Sequence, residues 1–164
     1  MLIKKSITNQ DLLALDISRS KSVTSTGIVK LASKCKSLLY VRLQDCPFIT
    51  DVAVRAVARG CPMLFLIDVN NCKDLTNRSI IELGLYCDKL AFVSFAGTVV
   101  NDEGIEVLVR GNVKLRGIDL SNCIYITRDS AMAIGQNCLD LEHAHFAGTQ
   151  TNDVCVMYFS FLSM

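Results

Sequence analysis

The feature that most limits how this chain can fold is a period. A Leu-x-x-Leu-x-Leu pattern, with other apolar residues at its later places, begins at Leu12, Leu38, Leu64, Leu90, Leu115 and Leu141. Successive starts are 26, 26, 26, 25 and 26 residues apart. Self-similarity at a fixed spacing of this size marks a chain made by stacking one supersecondary unit on the next.

Each unit repeats one grammar. After the leucine segment comes a turn, then Thr or Asn, then apolar residues at i, i+3, i+4 and i+7, the spacing of one helix face. The faces read Ile28/Leu31/Ala32/Cys35, Val54/Val57/Ala58/Cys61, Ile80/Leu83/Gly84/Cys87, Ile105/Leu108/Val109/Asn112 and Ala131/Ile134/Gly135/Cys138. Thr24, Thr50, Thr76, Asn101, Thr127 and Asn152 stand where an N-cap belongs, with a side-chain oxygen for a free first-turn N–H. Gly84 and Gly135 are expected to let their helices approach the strand layer closely. Each unit therefore reads strand, turn, helix. One such unit cannot bury its apolar face alone, so neighbours must cover one another. The predicted fold is α/β: a right-handed leucine-rich-repeat solenoid, a horseshoe segment. Strands pack more narrowly than helices, so the parallel sheet lines the concave face and the helices the convex one.

The stretch "FAGTVVND" at 95–102 returns as "FAGTQTND" at 146–153, six letters of eight agreeing. Four units carry Ser20, Cys46, Cys72 or Cys123 three places past the strand, whereas these two carry "AGT" and one residue fewer before the cap. The repeated word reads as a shorter form of the same turn, with Gly97 and Gly148 supplying a permissive backbone.

Composition narrows the class further. Of 164 residues, 51% are hydrophobic and 20% charged, which suits a folded core and argues against disorder. The net charge of +1 offers no drive toward nucleic acid or anionic membrane, so neither is an expected partner. No run of eighteen apolar residues exists, and the start "MLIKKSITNQDLL" lacks the apolar stretch of a secretion signal. A cytoplasmic protein with reduced thiols is therefore expected. Of the eight cysteines, Cys35, Cys61, Cys87 and Cys138 fall on four different helices, whose neighbours lie about 10 Å apart, beyond the disulfide limit of about 7 Å. Cys46 and Cys72 fall nearer the sheet, where a bridge is conceivable, yet free thiols are the favoured reading. Cys155 is off register.

The recurring L-x-x-L-x-L-x-x-C-x-x-I-T-D-x-x-[IV]-x-x-[LV]-A-x-x-C-P-x-L resembles the cysteine-containing class of leucine-rich repeats. "LLYVRLQDCPFITDVAVRAVARGCPML" at 38–64 matches it almost letter for letter, and the units starting at Leu64 and Leu115 match well. That class occurs chiefly in F-box leucine-rich-repeat proteins, the substrate receptors of cullin–RING (SCF) ubiquitin ligases, and in related ciliary and mitotic-exit regulators. The resemblance implies a repeat surface that holds a substrate protein, with a separate F-box docking the ligase. It also admits a non-ligase scaffold, and a nuclear or ciliary location beside the cytoplasmic one. The expected organisation is a truncated or irregular flank at 1–11, six repeats over 12–153, and an incomplete last repeat or tail at 154–164. Eleven residues are too few for an F-box, so a fragment of a longer protein is expected.

Side chains alternate along a strand, so the positions flanking the last two apolar ones should point out of the concave wall. One column is then Ala14, Tyr40, Leu66, Phe92, Gly117 and His143; the next is Asp16, Arg42, Asp68, Ser94, Asp119 and His145. Tyr40, Leu66 and Phe92 form an expected solvent-facing apolar patch with a polar edge, the composition of a protein-binding hot spot. The expected partner-binding set is Tyr40, Arg42, Leu66, Asp68, Phe92, Ser94, Asp119, His143 and His145. Two histidines without a third ligand do not make a metal site. No nucleophile elbow, phosphate loop, dinucleotide fingerprint or H-E-x-x-H is present. No catalytic residue, cofactor, metal or small-molecule ligand is expected; the expected partner is another protein. The sequon "NRS" at Asn77 opens a helix and is discounted.

Overall fold

The computed structural model of the chain describes residues 12–152. Both flanks named above, with Asp153 and Cys155, lie outside the described residues. Six three-residue strands alternate with five ten-residue helices: β1 Ala14–Asp16, α1 Ser25–Lys34, β2 Tyr40–Arg42, α2 Asp51–Gly60, β3 Leu66–Asp68, α3 Asn77–Tyr86, β4 Phe92–Ser94, α4 Asp102–Gly111, β5 Gly117–Asp119, α5 Arg128–Asn137 and β6 His143–His145. The strands form one sheet in chain order, and every pair is parallel. A helix in each connection is what a parallel pair needs to bring the chain back. Register follows the period, so Tyr40 lies beside Leu66, Leu66 beside Phe92, and Phe92 beside Gly117. Equivalent sequence positions thereby become straight rows across the sheet.

The core lies between sheet and helices. Strand positions such as Leu38, Val41 and Leu43, and helix positions such as Val54, Val57 and Ala58, are fully or almost fully buried. Each buried Val or Leu side chain among them contributes about 1.5–3 kcal/mol of burial free energy, and the Ala58 methyl less. Burial fades at both ends of the stack: Leu12, Leu15, Ile17, Leu31, Leu141 and Phe146 are only partly covered. Ala144, where inner strands carry Val41, Ile67, Val93 or Ile118, is exposed.

Between repeats run two polar ladders. The first residue of each of the helices α1 to α4 reaches forward to the cap of the next repeat. Ser25 Oγ accepts the Thr50 N–H at 2.9 Å; Asp51 accepts the Thr76 N–H at 2.9 Å and its hydroxyl at 2.7 Å. Asn77 accepts the Asn101 N–H at 2.9 Å, and Asp102 accepts the Thr127 N–H at 2.9 Å. Asn77 also donates to Asn101 Oδ1, so the sequon's amide is occupied by the ladder. Three expected caps accept from their own helix: Thr76 from Arg78, Asn101 from Glu103, and Thr127 from Asp129. Thr24 and Thr50 make no such side-chain bond. Thr50 Oγ1 is turned instead to the Ser25 hydroxyl at 3.0 Å.

The second ladder is made of thiols. Cys46 donates to Ile17 O at 3.3 Å, Cys72 to Leu43 O at 3.1 Å and Cys123 to Phe95 O at 3.1 Å. At the helix ends, Cys61 donates to Cys35 O at 3.3 Å, Cys87 to Ala58 O at 3.5 Å and Cys138 to Asn112 O at 3.6 Å. All seven described cysteines are free and buried, Cys46 and Cys72 included. Burial pushes Cys61, Cys72 and Cys138 up to about 11 and Cys87 up to about 12, so each keeps the proton it donates.

Gly84 has a different role from the one expected. A Cβ there would lie 2.8 Å from Leu108 Cα and from Val107 O, so the close approach is of α3 to α4 and not of a helix to the sheet. The turn glycines do what their spelling implies. Gly97 and Gly148 have φ of 68° and 72°, at the position where the other repeats hold Arg19, Asp45, Asn71 and Asn122 at 56–64°. Thr98 and Thr149 close the shorter turn by donating their hydroxyls to Phe95 O at 2.6 Å and Phe146 O at 2.7 Å.

Candidate protein-binding surface

On the sheet face turned away from the helices, short strands leave little room, and the turn that follows each strand decides which side chains are free. Asp16, Asp68 and Asp119 each accept the backbone N–H two residues ahead, from Ser18 at 3.1 Å, Asn70 at 3.1 Å and Ser121 at 2.9 Å. Short acidic side chains favour this local turn. The recurrence of Asp along that column therefore has a folding cause, and on Asp68 the second carboxylate oxygen remains for other work. Asn70 reaches sideways and accepts from Ala96 N–H and Ser94 Oγ, both at 2.7 Å. Ser94 Oγ also lies 3.4 Å from Asp119 Oδ2.

Eight of the nine sequence-predicted residues line one open hollow of about 330 Å³: Arg42, Leu66, Asp68, Phe92, Ser94, Asp119, His143 and His145. Tyr40, the ninth, sits beyond its edge and is 37% exposed. The expectation of a fully solvent-facing apolar column needs correcting. Leu66 and Phe92 are half-buried, and Gly117 is buried. A Cβ on Gly117 would strike Phe92 Cδ1 at 2.5 Å, because the Phe92 ring lies over the glycine. The missing side chain lets Phe92 tip toward β5, and the hollow opens beside it.

Phe65 joins the site unannounced by the sequence. Its ring meets Tyr40 edge-on, with centroids 5.9 Å apart, and meets Phe92 at 5.7 Å. Arg116 stands over Phe92 with its guanidinium carbon 5.9 Å from the ring centroid. Phe65 lies one residue ahead of the alternating strand, at a position filled elsewhere by Leu39, Ala91, Arg116 and Glu142. No periodic signal marks it; the only hint was an aromatic residue adjacent to a strand start.

The hollow's electrostatics are uneven. Burial raises the Asp68 carboxyl above the ordinary carboxylate range; Asn70 N–H and Arg42 pull it down, and Asp119 and Asp16 push it up. Asp16, in open solvent with the same kind of turn bond to Ser18 N–H, is lowered instead. Such a surface can receive a side chain by shape and charge. It assembles no nucleophile with a base, and among the described residues no three His, Cys, Asp or Glu groups converge to hold a metal. No helix among the described residues is long and apolar enough to cross a membrane.

This architecture is that of a leucine-rich-repeat solenoid, and solved structures share it. The chain is similar to one in the complex of Rad7 and Elc1 from yeast, at 23% identity and a TM-score of 0.60, over 70% of this chain and 29% of that one. It is similar to an internalin, InlF, from Listeria monocytogenes at 18% identity and a TM-score of 0.65, over 96% and 47% of the two chains. The tropomodulin C-terminal domain of Caenorhabditis elegans aligns at 13% identity and a TM-score of 0.59, over 94% and 84%. At these identities the likeness establishes the fold. No family model matches the sequence. The chain spans less than half the length of the first two structures it matches.

Proposed function

We propose that the chain holds another protein on the open face of its sheet, as the substrate-recognition part of an F-box-type SCF ubiquitin ligase. The observation that carries the binding reading is the gathering of eight expected residues, from five successive strands, around one hollow. A convergent set of apolar, acidic, basic and hydroxyl side chains on a rigid frame is what selective protein capture requires. The ligase reading rests on the cysteine-containing repeat motif, which 38–64 spells almost completely. The chain then works by binding and not by catalysis, in the cytoplasm, with 12–153 acting as one repeat domain and the ligase-docking element supplied outside it.

The test is affinity capture of the natural full-length protein from its own cells, read by quantitative mass spectrometry. Cullin-ligase subunits should co-purify with one or more substrate proteins. In an Arg42→Glu/His143→Ala double variant, both positions being exposed, substrate yield should fall at least fivefold while ligase subunits stay. Missing ligase subunits would remove the ligase reading; unchanged substrate yield would remove the sheet-face reading.

A further inference from the structure

The sheet-face hollow sets two rows of side chains next to each other. Residues i and i+2 of a strand share a face, so Leu66 stands with Asp68, Phe92 with Ser94 and Gly117 with Asp119. Register lines them into an apolar row beside a polar one, and all six line the hollow. Asp68 and Asp119 are two strands apart, about 10 Å at the backbone for a strand step of ~4.8 Å. Ser94 stands between them, its hydroxyl donating to Asn70 Oδ1 at 2.7 Å and lying 3.4 Å from Asp119 Oδ2.

The surrounding charges do not cancel this pair. Neither carboxylate has a Lys, Arg or His nitrogen within ion-pair reach among the described residues. With histidine neutral at pH 7, the hollow is lined by two carboxylates and one cation, Arg42. Arg42 lies on the far side of Asp68 from Asp119, and register sets it beside Asp16 as well as Asp68. Arg116, the other cation near Phe92, is tied to Glu142 at 2.6 Å. Burial works most strongly against the charged form of Asp68; Asn70 N–H and Arg42 support that form, and Asp119 and Asp16 oppose it. Arg42 thus keeps Asp68 charged for an incoming cation, and Arg42→Glu would remove that support.

The spacing of the two carboxylates selects among cations. An ammonium is a point charge that reaches one of them, whereas a guanidinium carries five donors in a planar fork and can bridge both. The methylene stem of a long basic side chain packs readily on apolar surface, which Leu66 and Phe92 supply alongside.

We infer that the partner held on the sheet face presents an arginine, whose guanidinium bridges Asp68 and Asp119 across Ser94 while its stem lies on Leu66 and Phe92. This rests on the sheet-face reading above and names the residue received there. The probe is the peptide Ser-Leu-Arg-Leu-Ser, blocked at both ends and titrated at pH 7 into the isotope-labelled full chain under nuclear magnetic resonance. Saturable shifts are expected at the Asn70 and Ser121 amides, which donate to Asp68 and Asp119. Citrulline in place of the arginine keeps the shape without the charge and should weaken binding tenfold or more; lysine should weaken it about threefold. An Asp68→Asn/Asp119→Asn double variant should lose the arginine peptide tenfold yet hold the citrulline peptide within twofold of the parent. Glu103→Gln, an exposed charge loss at the start of α4, should leave both within twofold. The inference is overturned by no saturable binding up to millimolar peptide, by equal binding of the citrulline or lysine peptide, or by a double variant that behaves like Glu103→Gln. Substrate capture separates this inference from the reading beneath it. Yield that falls in Arg42→Glu/His143→Ala but holds in Asp68→Asn/Asp119→Asn overturns the arginine alone; yield that holds in both overturns the sheet face itself.

Discussion

Asp68 sits half-buried between Arg42 and Asp119, and its carboxyl is raised mainly because burial strips water from the charged form. A carboxylate whose folded pKa lies above its unfolded value of about 3.9 opposes folding wherever it is ionised. That opposition is fully present above the folded pKa and vanishes below the unfolded one. Asp68→Asn keeps an oxygen for the Asn70 N–H and discards the charge. It should therefore raise the melting midpoint at pH 7 by about 1–2 °C, with the gain shrinking to nothing as pH falls below about 3.9. The same variant should weaken substrate capture, because the charge is what a partner's cation would neutralise. Calorimetric melts of both proteins between pH 3 and pH 8 check this; a gain that grows toward acid pH would contradict it. Asn112 shows the opposite kind of residue effect. It replaces the helix-end cysteine of the other repeats, and its buried Oδ1 has no partner although Nδ2 donates to Leu108 O at 3.1 Å. The sequence flags the exception; the unmet oxygen needs coordinates.

At the scale of elements, the forward reach from each helix start joins one repeat to the next. Asp51 accepts from Thr76 N–H, from Thr76 Oγ1 and from Ser79 Oγ, all at the entry to α3. Asp51→Ala strands those donors in a half-buried seam and should cost about 1–3 kcal/mol. Asp51→Asn should recover about half of it, since Asn77 performs the same service for Asn101 with an amide. Urea unfolding of the three proteins gives the comparison, and an Asp51→Ala variant as stable as the parent would show the seam to be ornamental. This ladder was not legible in the sequence. Thr76 could be read as a cap because one residue's chemistry suffices, whereas its partnership with Asp51 is a contact 25 residues away. The helix faces and strand triplets were legible, because burial repeats with the period and every unit votes on it. Gly84 was half legible. Its lack of a side chain on a buried face announced close packing, but the neighbour it meets, α4, is set by how adjacent helices stack. Phe65 was not legible, because it stands outside the strand alternation that placed Tyr40 and Phe92.

At the scale of the whole molecule, the stack is one-dimensional: each repeat touches only its neighbours, so local stability should depend on place in the row. One hydrogen bond recurs at an equivalent position and serves as a gauge. Ile17 N–H donates to Arg42 O at 3.1 Å, Leu43 to Asp68 O at 2.8 Å, Val69 to Ser94 O at 2.9 Å, Phe95 to Asp119 O at 2.9 Å and Leu120 to His145 O at 2.9 Å. Bond geometry is nearly constant along this set, so differences in amide exchange report the opening of repeats and not the bonds themselves. Val69 is flanked on both sides by fully packed repeats, with Leu43 and Phe95 at 0% exposure. Ile17 belongs to the half-covered first repeat, and Leu120 leans on a sixth strand whose three residues are all exposed. Native-state hydrogen exchange should accordingly run slowest at Val69 and at least tenfold faster at Ile17 and Leu120, with Leu43 and Phe95 between. Equal rates within a factor of two would mean the stack opens only as a single unit. In that case the sheet-face hollow, which ends on His143 and His145 of the sixth strand, would be as rigid at its outer wall as at its centre. The expected gradient instead makes that wall the adaptable side of the surface, where an incoming chain can be accommodated without disturbing the packed middle.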